Sequence, residues 1–134
     1  MNEQIFNFIK KNKLLSLCIR DEIGVYTASC FYAFDELNLA LIIASNENSK
    51  HIKLALKDSN IAINIAKLSK ISLLKGIQAK AIFKIANEKQ EKIYYKKFPF
   101  AKFANDFKLY SLYLQWAKLT DNSLMLTSKL EFNR

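Results

Sequence analysis

The sequence predicts a mainly β, α+β fold: six or seven antiparallel strands closed into a small barrel, with helices on the outside. Three observations lead there. Short runs of branched and aromatic residues recur along the chain, several with strict two-residue alternation. Helical spacing is confined to a few short segments between them. The chain has 134 residues, and that length suits one domain, spanning 1–134, that buries about two-thirds of its unfolded surface. With one proline and two glycines there is no flexible linker, and no internal repeat is visible. That many strands in so short a chain are best satisfied by closure, which removes exposed edges.

Taken in order, residues 3–12 read as an N-terminal helix with Ile5, Phe8 and Ile9 on one side. Leu14–Arg20 is a strand, and Asp21-Glu22-Ile23-Gly24 turns it into a second, Val25–Phe34, forming a hairpin. Neither face of that second strand is strongly charged, so both should be covered, one of them at an interface. Asp35-Glu36-Leu37-Asn38 supplies turn-forming residues, and Leu39–Ser45 follows as a third strand. The polar run Asn46-Glu47-Asn48-Ser49 then offers N-caps for a helix over Ser49–Lys57. Asn60–Lys67 alternates Ile61, Ile63 and Ile65 with smaller or polar residues, a clear strand.

Leu73–Ile85 is the longest strand candidate, with a bulge or close approach expected at Gly76. Glu88–Phe98 is a charged helix stopped by Pro99, followed by a short helical turn through Phe103. The aromatic cluster Tyr94, Tyr95, Phe98, Phe100 and Phe103 is expected to dock a helix onto the barrel, or in part to cover the dimer groove. Tyr110–Leu119 and Ser123–Glu131 close the chain as a hairpin across Thr120-Asp121-Asn122. Trp116 alternates with Leu112 and Leu114, which points to packing in the core or an interface.

Composition narrows the function. The net charge of +9 comes almost entirely from lysine, spread over the chain, with arginine only at Arg20 and Arg134. Base readout leans on arginine, so a nucleic-acid partner is not expected. Cys18 and Cys30 fall in strands, no CxxC occurs, and the lone histidine, His51, cannot assemble a familiar zinc site with them. No metal centre and no disulfide are therefore expected. The longest apolar run, Leu39–Ala44, is too short to span a bilayer, and the N-terminus lacks a signal peptide's apolar core. The expectation is a cytoplasmic protein with no membrane partner.

One stretch has chemistry of its own. Where the third strand ends and the next helix begins, the hydroxyls of Ser45 and Ser49, first-turn N–H groups and Lys50 converge. Such a helix start can seat a phosphate, although an ordinary capped helix has the same residues. The small residues Thr27, Ala28 and Ser29 leave room against the second strand for something flat, or for protein.

Four stretches, SCFYAFD at 29–35, LLKGIQAKA at 73–81, YYKKFPFAK at 94–102 and KLTDNSL at 118–124, add a resemblance. Together with the element order they resemble the flavin-binding split-barrel superfamily typified by pyridoxamine 5′-phosphate oxidase, and within it the YhbP-like branch. The resemblance implies a split β-barrel that forms a homodimer and holds flavin mononucleotide (FMN) between subunits. It implies that Thr27, Ser29, Cys30 and Phe31 pass the isoalloxazine and ribityl chain, largely through backbone groups. It places Ser45, Asn46, Ser49, Lys50 and His51 around the phosphate, and Gln78 against the flavin ring. No catalytic residue is implied, because hydride chemistry belongs to the cofactor. Departures from the oxidase pattern are a threonine at 27 and His51, each where a basic residue is usual, and the loss of the substrate-clamping arginines. Pyridoxamine phosphate oxidation is therefore not expected. A flavin-dependent oxidoreductase stands beside two alternatives, a split-barrel dimer that binds another ligand such as haem and one with a purely structural or interaction role.

Overall fold

A computed structural model describes residues 1–104, 106–121 and 130–134, leaving aside the side chain of Ser72. In chain order the elements are α1 (Glu3–Lys11), β1 (Leu14–Arg20), β2 (Val25–Asp35), β3 (Ala40–Asn46), α2 (Lys50–Lys57), β4 (Asn60–Lys67), β5 (Lys75–Ile85), α3 (Glu88–Lys97), β6 (Phe107–Asp121) and β7 (Leu130–Asn133). Short 3-10 turns occupy Ile71–Leu73 and Pro99–Phe103. The strands follow the order β3-β2-β1-β4-β5-β6-β7, all antiparallel, and a β3–β6 pairing closes the first six into a barrel with β7 as an extra strand.

Alternation sets the interior. On β1 and β4, Leu15, Leu17, Ile19, Ile61, Ile63 and Ile65 point inward and are buried, while their neighbours face out. The same holds on β5, where Ile77, Ala79, Ala81 and Phe83 are buried opposite Gln78 and Lys80. Helix α1 is capped by the Asn2 side chain and buries Ile5, Phe8 and Ile9 against one end of the barrel. Helix α2 buries Ile52, Leu54 and Ala55 and lies on β1, β2 and β5 at the other end. A second cluster beneath α3 joins Ala33, Ile42, Tyr94 and Leu109. Beside it the buried Asp35 accepts from Gln90 at 3.0 Å and from the Asn38 amide at 2.8 Å. Gln90 also donates to Tyr113 Oη at 3.0 Å and closes a capping box with Asn87, so one residue ties α3 to two strands.

Several expectations need correction. Gly76 lies in regular pairing with no bulge, though a Cβ there would meet the Ile65 carbonyl oxygen at 3.4 Å. The irregularity falls instead between Lys80 and Ala81, which pair with Trp116 and Leu114, leaving Gln115 as the extra residue on β6. That extra residue shifts the alternation, so Trp116 leaves the face of Leu112 and Leu114 and lies outside, where its indole donates to Glu131 at 3.3 Å. Leu73 ends a 3-10 turn and β5 begins at Lys75. Thr120 and Asp121, expected in a turn, continue β6. Most of the expected strand over Ser123–Glu131 lies outside the described residues, and the final strand there is Leu130–Asn133. Of the docking aromatics, Tyr94 is buried, but Phe100 and Phe103 stand 86% and 83% exposed.

Candidate cofactor site at the split of the barrel

Strand β2 is paired with β1 along the whole of Val25–Phe31, but with β3 only along Tyr32–Asp35. Beyond Ile43, β3 continues against β6, with Ser45 opposite Lys108. The two strands therefore diverge, and a split opens between Val25–Phe31 on one lip and the end of β3 on the other. The Tyr32 N–H donates to the Lys13 carbonyl at 2.8 Å, which fixes the phase of the ladder. Antiparallel alternation then turns the backbone groups of Thr27 and Ser29 away from β1 and into the split. No strand among the described residues pairs with them there.

Side chains on the same lip sort by parity. Thr27, Ser29 and Phe31 are exposed on the outer face. Cys30 points into the core, where burial pushes its thiol up to about 11, and its backbone groups, in phase with those of Tyr32, face β1, so it offers the split neither side chain nor backbone. Both cysteines are free thiols. Val25 and Phe31 are 72% and 53% exposed, so among the described residues the outer face of β2 is covered only in part, by the Phe98 ring 6.1 Å from that of Phe31.

On the facing lip the polar residues form a connected group. Ser45 Oγ lies 2.8 Å from His51 Nε2 and 3.3 Å from Ser49 Oγ, and the Ser49 hydroxyl donates to the Asn46 carbonyl at 2.6 Å. The Asn46 side chain accepts from the Asn48 N–H at 2.8 Å. Ser49 is the N-cap of α2 but makes no side-chain cap bond, whereas Asn2 and Asn87 cap α1 and α3. Burial lowers the His51 pKa, keeping the ring neutral. Lys50 turns away from the serines. Its ammonium lies 3.7 Å from Asp21 and over the Tyr26 ring at 4.9 Å. The Ile23 N–H, with Gly24 and Lys50, holds the Asp21 carboxyl below its usual range.

The structure thus places Thr27, Ser29 and Phe31 on one lip, and Ser45, Asn46, Ser49, Lys50 and His51 on the other. Gln78 stands apart on β5, exposed on the outer wall, with Asn64 and Lys118 as ladder neighbours. It shares with Thr27 a shallow groove of about 370 Å³ that Ser16, Cys18, Asn64 and Trp116 also line. Sequence reasoning missed Ser16 and Asn64, although their outward parity on alternating strands was the signal. It also missed Asp21 and Tyr26, whose relation to Lys50 exists only after folding. Among the described residues no group of three or more His, Cys, Asp or Glu could hold a metal ion. No described helix is long and apolar enough to cross a membrane.

Comparison with known proteins gives the following. No family model matches the chain. A UPF0306 protein of Campylobacter jejuni is 61% identical over 132 residues, covering 98% of each chain. A UPF0306 protein of Serratia proteamaculans is 33% identical over 137 residues, covering 98% of this chain and 94% of its own. Among solved structures, a heme-binding protein from Mycobacterium smegmatis superposes with a TM-score of 0.82 at 12% identity over 98% of this chain, which spans only 57% of that one. An FAD-binding protein from Mesorhizobium loti gives 0.74 at 9% identity, covering 87% of this chain and 89% of that one. A Clostridium acetobutylicum protein of the pyridoxinephosphate oxidase family gives 0.69 at 11% identity, covering 99% and 96%. These likenesses show the split-barrel fold, and identity over the full length shows that the chain belongs to the UPF0306 family.

Proposed function

We propose that this protein binds FMN in a groove completed by a second copy of the chain and acts as a flavin-dependent oxidoreductase. One observation supports the reading above the rest. The unpaired backbone of Thr27 and Ser29 faces the same split as the start of α2, whose first N–H groups lack a side-chain cap. An edge of free N–H and C=O groups suits the polar rim of an isoalloxazine, and an uncapped helix start suits a phosphate dianion. Bound FMN would supply hydride transfer, and the chain would supply position and exclusion of water. Ser45, Ser49 and the first-turn amides would hold the phosphate, with Lys50 swinging from Asp21 to join them. The exposed Val25 and Phe31 call for a partner, and a second copy would cover them.

The substrate is not expected to be a pyridoxamine phosphate. Arg20 pairs with Asp58 at 3.2 Å, and Arg134 donates to the carbonyls of Leu114, Asn38 and Leu39. Arg134 is thus committed to backbone carbonyls, and Arg20 alone, in an exposed pair with Asp58, does not make a two-arginine clamp for a substrate phosphate. Haem is the second reading, given the haem-binding neighbour, but the lone histidine spends Nε2 on Ser45. An absorbance spectrum of freshly purified protein, followed by titration with FMN and light scattering, tests the proposal. Saturable FMN binding by a dimer is the expected result. A Soret band, or a monomer with no affinity for FMN, would overturn it.

A further inference from the structure

At the end of the barrel opposite α2, a second groove of about 410 Å³ lies between α1 and the ends of β4, β5 and β6. At its base the small exposed edges of the largely buried Phe8 and Leu119 supply apolar contact. Its walls carry Lys11 from α1, Lys67 from β4 and Lys75 from β5, with the amides of Gln4, Asn7 and Asn12 between them. Lys75 lies 3.3 Å from the Asp121 carboxylate, so that pair is internally compensated. Lys11 and Lys67 have no ion-pair partner among the described residues, and both are exposed. Two uncompensated cations therefore face one groove from different elements.

The negative end of α1 does not cancel them. The Phe8 carbonyl accepts from the Asn12 side chain at 2.7 Å, and the Ile9 carbonyl from the Tyr32 hydroxyl at 2.7 Å. These are last-turn acceptors that would otherwise repel an anion. The volume falls within the range of small-molecule sites.

We infer that this groove binds a small organic anion, with a phosphate or carboxylate head between Lys11 and Lys67 and an apolar body on Phe8 and Leu119. The site does not depend on the flavin reading, since it uses none of the residues at the split. Three probes test it by calorimetry on the full chain at low salt: phenyl phosphate, phenol and inorganic phosphate. Phenyl phosphate is expected to bind saturably, and more tightly than either fragment. The double variant Lys11→Ala/Lys67→Ala should lose about 10-fold in affinity. The α3 double variant Lys89→Ala/Lys96→Ala, which removes the same charge elsewhere, should lose less than about 2-fold. Circular dichroism checks that both variants fold. No saturable binding, inorganic phosphate binding as tightly as the aryl ester, or equal losses in both variants would each overturn the inference.

Discussion

Replacing Lys50 by alanine is expected to weaken FMN binding while leaving riboflavin binding nearly unchanged, because riboflavin lacks the phosphate. The ammonium lies 3.7 Å from Asp21 with its side chain 49% exposed, so reaching the phosphate means leaving one partner in a half-solvated place. A charge-assisted hydrogen bond contributes about 1.5–3 kcal/mol where water is excluded, and exposure takes the value to the low end. About 1.4 kcal/mol corresponds to a 10-fold weaker Kd for FMN. Asp21→Asn makes the opposite test. Its remaining side-chain oxygen can still accept from Ile23 and Gly24, now at 3.0 and 2.8 Å, so the turn is kept while the competing charge goes. FMN affinity should then rise by about 2- to 3-fold. Fluorescence quenching of both flavins by wild type and both variants gives the four comparisons, with circular dichroism as the folding control. Equal losses for the two flavins in Lys50→Ala, or no loss for either, would refute a phosphate at the start of α2.

Other outcomes follow from the interior. Gln90→Ala should lower the unfolding free energy in urea by about 2–3 kcal/mol, since Asp35 and Tyr113 lose a shared donor and α3 its capping box. Ser111→Ala should raise it by about 1 kcal/mol, because the Ser111 hydroxyl is fully buried with no partner among the described residues. His51 has a folded pKa below its ordinary 6.5, so its contribution is present above that pH and is lost as pH falls through the unfolded value toward the folded one. Chemical denaturation at pH 7.5 and at about pH 5.5 should show wild type losing stability on acidification and His51→Gln losing less.

The parts of the fold that could be read from the sequence are those fixed by local alternation. The limits of Leu14–Arg20 and Asn60–Lys67 agree to the residue, because apolar alternation there ends in charged or turn-forming residues. Leu73 and Leu74 misled because an apolar pair looks the same in a 3-10 turn as in a strand. The bulge at Gln115 had no local signal, since it is a property of two strands in register rather than of one. The same bulge takes Trp116 off the face of Leu112 and Leu114, which alternation within one strand could not show. The candidate site divides in the same way. Each lip of the split is a short contiguous stretch and was legible, whereas the opening between them depends on β3 leaving β2 for β6. The engagement of Lys50 with Asp21 and Tyr26 likewise joins residues far apart in sequence.

The bulge has a consequence for how the molecule breathes. Along its edge away from β5, β6 pairs with β3 through Phe107–Tyr113 and with β7 through Trp116–Leu119, so the change of partner falls at Gln115. One 15-residue strand thus has two neighbours in turn along that edge, while β5 holds it along the other. Breaking the first half opens the barrel, whereas releasing β7 frees only an added strand. In native-state hydrogen exchange, amides bonded between β6 and β3 should exchange only through global unfolding, with a strong dependence on denaturant. Those bonded between β6 and β7 should exchange through a smaller opening that denaturant hardly affects. The joint lets the chain alter or extend what hangs on its last strand without disturbing the closure that holds the split in place.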